Sequence, residues 1–120
     1  MNRNCAKGKL GENLAEEFLI GKGFKIIEKN WRYSRQGELD IIASDKNTLV
    51  FVEVKARSSI NFGYPIEAID KNKMNKIKTL AGIYLNEKKE LKFKKLRFDA
   101  VAVILGENPQ INHYKDIYQF

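Results

Sequence analysis

The sequence predicts an α/β fold: one domain over residues 1–120, with a mixed central β-sheet of about five strands flanked by helices. Three observations predict it. Apolar residues recur at helical spacing in two stretches. Short stretches rich in β-branched and aromatic residues lie between and after them. The resulting order of helix, three strands, helix, two strands places a βαβ crossover in the second half of the chain.

The elements follow in order. Over residues 8–22, Leu10, Leu14, Ala15, Phe18 and Leu19 form one helical face, and Gly21 and Gly23 end the pattern. Residues 24–28, 38–43 and 48–56 read as three strands, and the polar run Ser44-Asp45-Lys46-Asn47 folds the second onto the third as a hairpin. Residues 58–65 read as a loop. Asp70 then caps a second helix whose apolar stripe is Met74, Ile77, Leu80, Ala81, Tyr84 and Leu85. Residues 96–105 and 111–118 supply the last two strands, separated by the turn Gly106-Glu107-Asn108-Pro109.

Composition narrows the function classes. A chain of 120 residues with 43% hydrophobic and 31% charged residues has enough apolar material for one small core, which argues against disorder as its default state. Its 22 Lys and Arg outnumber 15 Asp and Glu, and the net charge of +7 attracts polyanions, nucleic acid foremost. An anionic membrane surface would also draw this charge, but no apolar run approaches the roughly 20 residues that span a bilayer. Residues 1–9 are polar and lack the apolar stretch of a secretory signal, so a cytoplasmic location is expected. The single cysteine, Cys5, is expected in a mobile segment; it forms no internal disulfide, suits a reducing compartment and is given no catalytic role.

The chemistry-bearing residues lie on the hairpin. In the strand around Val50-Phe51-Val52-Glu53-Val54-Lys55, side chains alternate, so Glu53 and Lys55 share a face with Phe51 while the valines take the other. Both faces are largely apolar, which predicts a strand covered on both sides. An exposed Glu53–Lys55 ion pair fits that setting poorly, because a buried carboxylate requires compensation. Across the turn, Glu38, Asp40 and Ile42 share one parity, and pairing can set Asp40 beside Glu53. Two carboxylates and an ammonium then converge. Like charges this close call for a cation between them, and hard oxygen donors favour Mg²⁺ or Mn²⁺.

Asp40 followed thirteen positions on by Glu53-Val54-Lys55 resembles the PD-(D/E)xK signature of restriction-endonuclease-like nucleases, with Leu39 where the signature's name has proline. Longer segments look like the YraN-like family of small bacterial proteins: Gly8-x-x-Gly11-Glu12-x-x-Ala15, Asn30-Trp31-Arg32, Gly37-Glu38-Leu39-Asp40-Ile41-Ile42, Phe51-Val52-Glu53-Val54-Lys55-Ala56-Arg57 and Arg97-Phe98-Asp99. That family is similar in layout to archaeal Holliday junction resolvases. The resemblance implies a nuclease in which Asp40, Glu53, the Val54 carbonyl and Glu12 hold the metal, with Lys55 completing the catalytic set. Glu16, one turn beyond Glu12 and farther toward solvent, is the fallback for the helix acid. By the same analogy a homodimer would suit a symmetric branched substrate.

Other residues read more plainly. Glu38 is expected as a rim acid or turn contact, Asp99 as a buried acid paired with Arg97 or Arg57, His113 as a strand-surface residue, and Trp31 as a core or edge anchor. Lys71, Lys73, Lys76 and Lys78, with the lysines from Lys88 to Lys95, make the densest basic region; Lys71, Lys73 and Lys76, together with Arg32, Arg35 and Arg57 near the proposed metal, are the candidate phosphate contacts. Two functions compete. One is a metal-dependent nuclease acting on DNA, including branched or structured DNA. The alternative is a nucleic-acid-binding module that keeps the fold with little or no cleavage. A structural or ribosome-associated basic protein ranks last, because it leaves the acids unexplained.

Overall fold

The computed structural model describes residues 3–59 and 69–118. Its elements are α1 (Arg3–Gly21), β1 (Lys25–Tyr33), β2 (Gly37–Asp45), β3 (Thr48–Arg57), α2 (Lys71–Glu87), β4 (Lys95–Ile104) and β5 (Gln110–Tyr114). The order is the one predicted. They form one five-stranded mixed sheet, β1-β2-β3-β4-β5, flanked by the two helices. Neighbours are antiparallel except β3 and β4, which run parallel from Thr48↔Lys95 to Arg57↔Ile104. A parallel pair needs a long crossover, and α2 lies in it.

β3 divides the core as its alternation requires. Leu49 and Phe51 pack with Ile42, Phe98, Ile77, Leu80 and Tyr84 on the α2 side. Val50, Val52 and Val54 pack with Ala15, Leu19, Ile41, Val101 and Val103 on the α1 side. The central strand is thus covered on both faces, which explains its nearly unbroken apolar run. On α2 the Asp70 carboxylate accepts the Lys73 N–H at 2.9 Å, and Met74, Ile77, Leu80, Ala81 and Tyr84 are buried, as the stripe predicted.

Several boundaries differ from the sequence reading. α1 begins at Arg3, so Cys5 lies within a helix rather than in a mobile lead-in; nothing in residues 3–7 breaks a helix, yet they carry no apolar stripe to announce one. Its C-terminus closes on Gly23 at φ 95, with Phe24 N–H reaching the Leu19 carbonyl at 3.0 Å. β1 runs on to Tyr33, because Trp31 is buried opposite Leu39; a register shift between Ile26 and Glu28 had broken the alternation that would have revealed it. Trp31 is accordingly a core residue. Of the loop expected at 58–65, residues 60–65 lie outside the described residues. β5 stops at Tyr114: Asp116 takes φ 58, and Ile117 and Tyr118 then pack with the α2-side core.

His113 is not the surface residue expected. It pairs with Val101 on β5, its side chain is 2% exposed, and its ring meets Phe24 and Phe18 edge-on at 5.6 and 6.2 Å. An edge strand exposes its outer rim, but here α1 covers its inner face, which strand composition cannot reveal. His113 Nε2 lies 2.8 Å from Asp99, whose carboxylate also accepts two bonds from Arg97, at 2.8 and 2.9 Å, and one from the Asp116 backbone N–H at 3.0 Å. Asp99 is therefore the buried, Arg97-paired acid expected. Among the described residues, no helix is long and apolar enough to cross a membrane.

Candidate active site

The site lies where β2 and β3 cease to pair. Their ladder runs from Asp45↔Thr48 to Ile41↔Val52, and one further step of that register sets Asp40 opposite Glu53. There the Asp40 carboxylate accepts the Val54 backbone N–H at 2.9 Å, taking a donor that the ladder leaves at this point. Val54, whose carbonyl the resemblance assigns to a metal, is thus tied to Asp40 through its own N–H.

α1 brings the third acid. Gly11 makes this possible: a Cβ on it would stand 2.6 Å from the Ala56 Cβ, so only glycine lets the helix settle this closely on β3. The next residue, Glu12, is half-buried and faces the sheet end. Carboxylate oxygens of Glu12, Glu38 and Asp40 lie within 4.8 Å of one another. Glu16, the fallback, points elsewhere and pairs with Lys29 at 2.8 Å. Glu38 stands at the rim as expected, bonded to exposed Arg32 at 3.1 Å, and its carboxylate also belongs to the acidic cluster. The signal was present in its parity with Asp40 two residues on.

Asn30 was not foreseen. Its backbone adopts φ 54, a left-handed conformation that asparagine tolerates better than most residues. With its amide nitrogen turned inward, it donates to Glu12 at 2.8 and 3.2 Å and to Glu38 at 3.2 Å. One side chain thereby holds two like-charged groups together.

Electrostatics report the crowding. Burial, then the charge of Glu53, pushes Asp40 up to about 7, against the opposing pull of the Val54 N–H and Lys73. Burial, then Asp40 and Glu38, pushes Glu12 up to about 7, with Asn30 and Lys29 opposing. Glu53 is 4% exposed and is flanked by two ammonium groups, Lys73 Nζ at 3.4 Å and Lys55 Nζ at 3.7 Å. Asp40, Glu53 and Lys55 are thus brought together on adjacent strands, and Glu12 joins them from the helix.

Two clefts meet at Glu38. One, of about 380 Å³, is lined by Gly8, Lys9, Glu12, Asn13, Lys29, Asn30 and Glu38. The other, of about 270 Å³, is lined by Asp40, Glu38 and Gly37 together with Arg32, Lys73 and Lys76. Gly37, at φ 140, has the Lys76 chain lying against it, within 2.9 Å of where a Cβ would be. Arg32, Lys73 and Lys76 are therefore beside the acids. Arg35 is exposed in the β1–β2 turn, Arg57 half-buried at the end of β3, and Lys71 exposed at the start of α2.

The family model described as "Uncharacterised protein family UPF0102" matches residues 11–103, a span that holds Glu12, Glu38, Asp40, Glu53, Lys55 and Lys73. The chain is 43% identical to a UPF0102 protein of Dictyoglomus turgidum over 90% of each chain. It is 41% identical to one of Natranaerobius thermophilus, over 96% of this chain and 98% of the relative, and 45% identical to one of Persephonella marina, over 93% and 92%. The chain belongs to the uncharacterised protein family UPF0102, the YraN-like family that its motifs resemble.

Proposed function

We propose that this protein is a metal-dependent nuclease of the restriction-endonuclease-like superfamily that hydrolyses phosphodiester bonds in DNA, with branched or structured DNA within its range. One observation carries the reading. Three carboxylates converge within 4.8 Å beside buried Glu53 and two lysines, at the sheet position where the PD-(D/E)xK pattern puts its site. Oxygen donors of this kind fit Mg²⁺ or Mn²⁺, and the burial and like-charge crowding that raise Asp40 and Glu12 are what a divalent cation would offset.

Asp40, Glu12 and Glu38 would hold the ion, and Glu53, beside Asp40, would join them. When bound, such an ion polarises the scissile phosphate and lowers the pKa of an attacking water. Lys55 donates toward the phosphate oxygens, where negative charge grows as water attacks phosphorus and the P–O bond breaks. Arg32, Lys73 and Lys76 hold the phosphate backbone in the cleft that opens on Asp40.

The deciding experiment is a cleavage assay on single-stranded, duplex, flapped and four-way DNA with Mg²⁺ and Mn²⁺. Cleavage of any of these that requires the metal supports the reading. Tight binding with no cleavage of any substrate sinks it in favour of a binding module.

Two further results are expected. Mn²⁺ affinity should be roughly tenfold lower at pH 6 than at pH 8, because Asp40 and Glu12 titrate near 7 and must lose protons before they ligate; isothermal titration in two buffers would also show proton release. An affinity flat across this range would mean that other groups bind the ion. DNA binding should weaken steeply with salt, and Lys76→Glu should weaken it alike for all sequences and flatten the salt slope, as followed by fluorescence anisotropy.

A further inference from the structure

Glu53 shares its strand face with Phe51 beneath α2, a setting in which an ionised carboxylate needs a partner. The closer of its two ammonium groups is not the one its own strand supplies. Lys55 sits 3.7 Å away, whereas Lys73 reaches across from α2 to 3.4 Å. Lys73 is launched from a fixed point, since its backbone N–H is held by the Asp70 cap at 2.9 Å. It also lines the cleft shared with Asp40, and its side chain remains about a third exposed, so it has room to move.

We propose that Lys73 is a positioning residue that serves as the site's resident counter-cation: it holds Glu53 in place in the metal-free protein and competes with the divalent ion for it. The inference rests on the metal-dependent reading above. A cation brought near Asp40 meets the Lys73 ammonium as a like charge, and the ammonium must yield Glu53 before that carboxylate can serve the ion. Released, Lys73 stands in the same cleft with Arg32 and Lys76, where a phosphate would take the place of the lost carboxylate. Metal uptake and phosphate binding are thereby coupled through one side chain. A lysine that contacted phosphate alone would leave metal affinity nearly unmoved.

The test measures Mn²⁺ binding to the full chain without DNA, by electron paramagnetic resonance of the free ion at pH 8. Lys73→Met should bind Mn²⁺ roughly tenfold more tightly than the parent, the effect of removing one unit charge a few ångströms from a ligand. Lys25→Met, which removes a lysine from the far end of the sheet, should bind within about twofold of the parent. In metal-free buffer Lys73→Met should melt lower than the parent, and Mn²⁺ should restore the difference. If Lys73→Met does not fold, Lys73→Gln carries the same expectation while keeping hydrogen-bond donors for Glu53. Mn²⁺ bound equally or more weakly by these variants than by the parent overturns the inference alone. No Mn²⁺ bound by parent or variant overturns the metal reading with it, and binding by the variant only supports the inference. Failure of both variants to fold even with Mn²⁺ overturns it, because the ion would not then be replacing the ammonium.

Discussion

Lys55→Ala is expected to lower metal-dependent DNA cleavage by about 10²–10³-fold or more while leaving affinity for DNA within about threefold of the parent. The asymmetry follows from where Lys55 stands. Its ammonium is 3.7 Å from buried Glu53 and about a quarter exposed, and in the proposed mechanism it acts on the charge that a phosphate gains in the transition state. It adds little to ground-state binding, because Arg32, Lys73 and Lys76 already line the cleft. Asp40→Asn should abolish cleavage similarly by removing a proposed metal ligand, yet its amide oxygen can still accept the Val54 N–H. Its effect on stability carries a definite sign. A carboxylate raised to about 7 in the fold favours the folded state at low pH, and that contribution is lost as pH rises through about 7. Metal-free Asp40→Asn should therefore melt higher than the parent at pH 8 and about equally at pH 4, as followed by circular dichroism. If either substitution unfolds the protein while the remaining folded fraction still cleaves DNA, these residues are a structural ion pair and the nuclease reading fails.

Asp99→Ala is expected to cost the fold about 3–5 kcal/mol, measured by urea unfolding. Asp99 is fully buried and accepts bonds from Arg97, His113 and the Asp116 backbone, so its loss strands the buried imidazole, leaves the Arg97 guanidinium to Asp45 alone and frees the Asp116 N–H. Among the described residues the buried His113 Nδ1 has no hydrogen-bond partner, which leaves the ring dependent on its contact with Asp99. Burial by itself would raise the Asp99 pKa; the bonds from His113, Arg97 and Asp116 outweigh it and lower it. A lowered carboxylate stabilises the fold above its ordinary pKa near 4, and that stability is lost as pH falls further. Asp99 pairs with Val52, one step nearer the hairpin end of the β3–β4 ladder than the Glu53–Ala100 pair, and the Arg97 guanidinium bonded to it also reaches Asp45. Where Asp99→Ala remains folded it should cleave DNA normally, and a selective loss of cleavage at full stability would give Asp99 a part in the chemistry instead.

What this sequence determined by itself was local. Hydrophobic spacing set the kind and order of all seven elements, and strand alternation placed Glu53 and Lys55 with Phe51 and both faces of β3 in the core. The turn expected at residues 44–47 closes in the structure on Lys46 and Asn47, and that register sets Asp40 opposite Glu53. These features depend on neighbours in sequence, so a period of 3.6 or 2 is enough to read them. The tertiary structure decided the rest. Asn30 meets Glu12 and Glu38 only because β1 runs beside β2 and Gly11 lets α1 settle against Ala56. Lys73 reaches Glu53 only because the crossover lays α2 over that face of β3, and His113 is buried only because α1 covers the inner side of β5. The periodicity of a single element states which face is apolar but not what will cover it, and the partners of a charged or polar side chain are set by that cover.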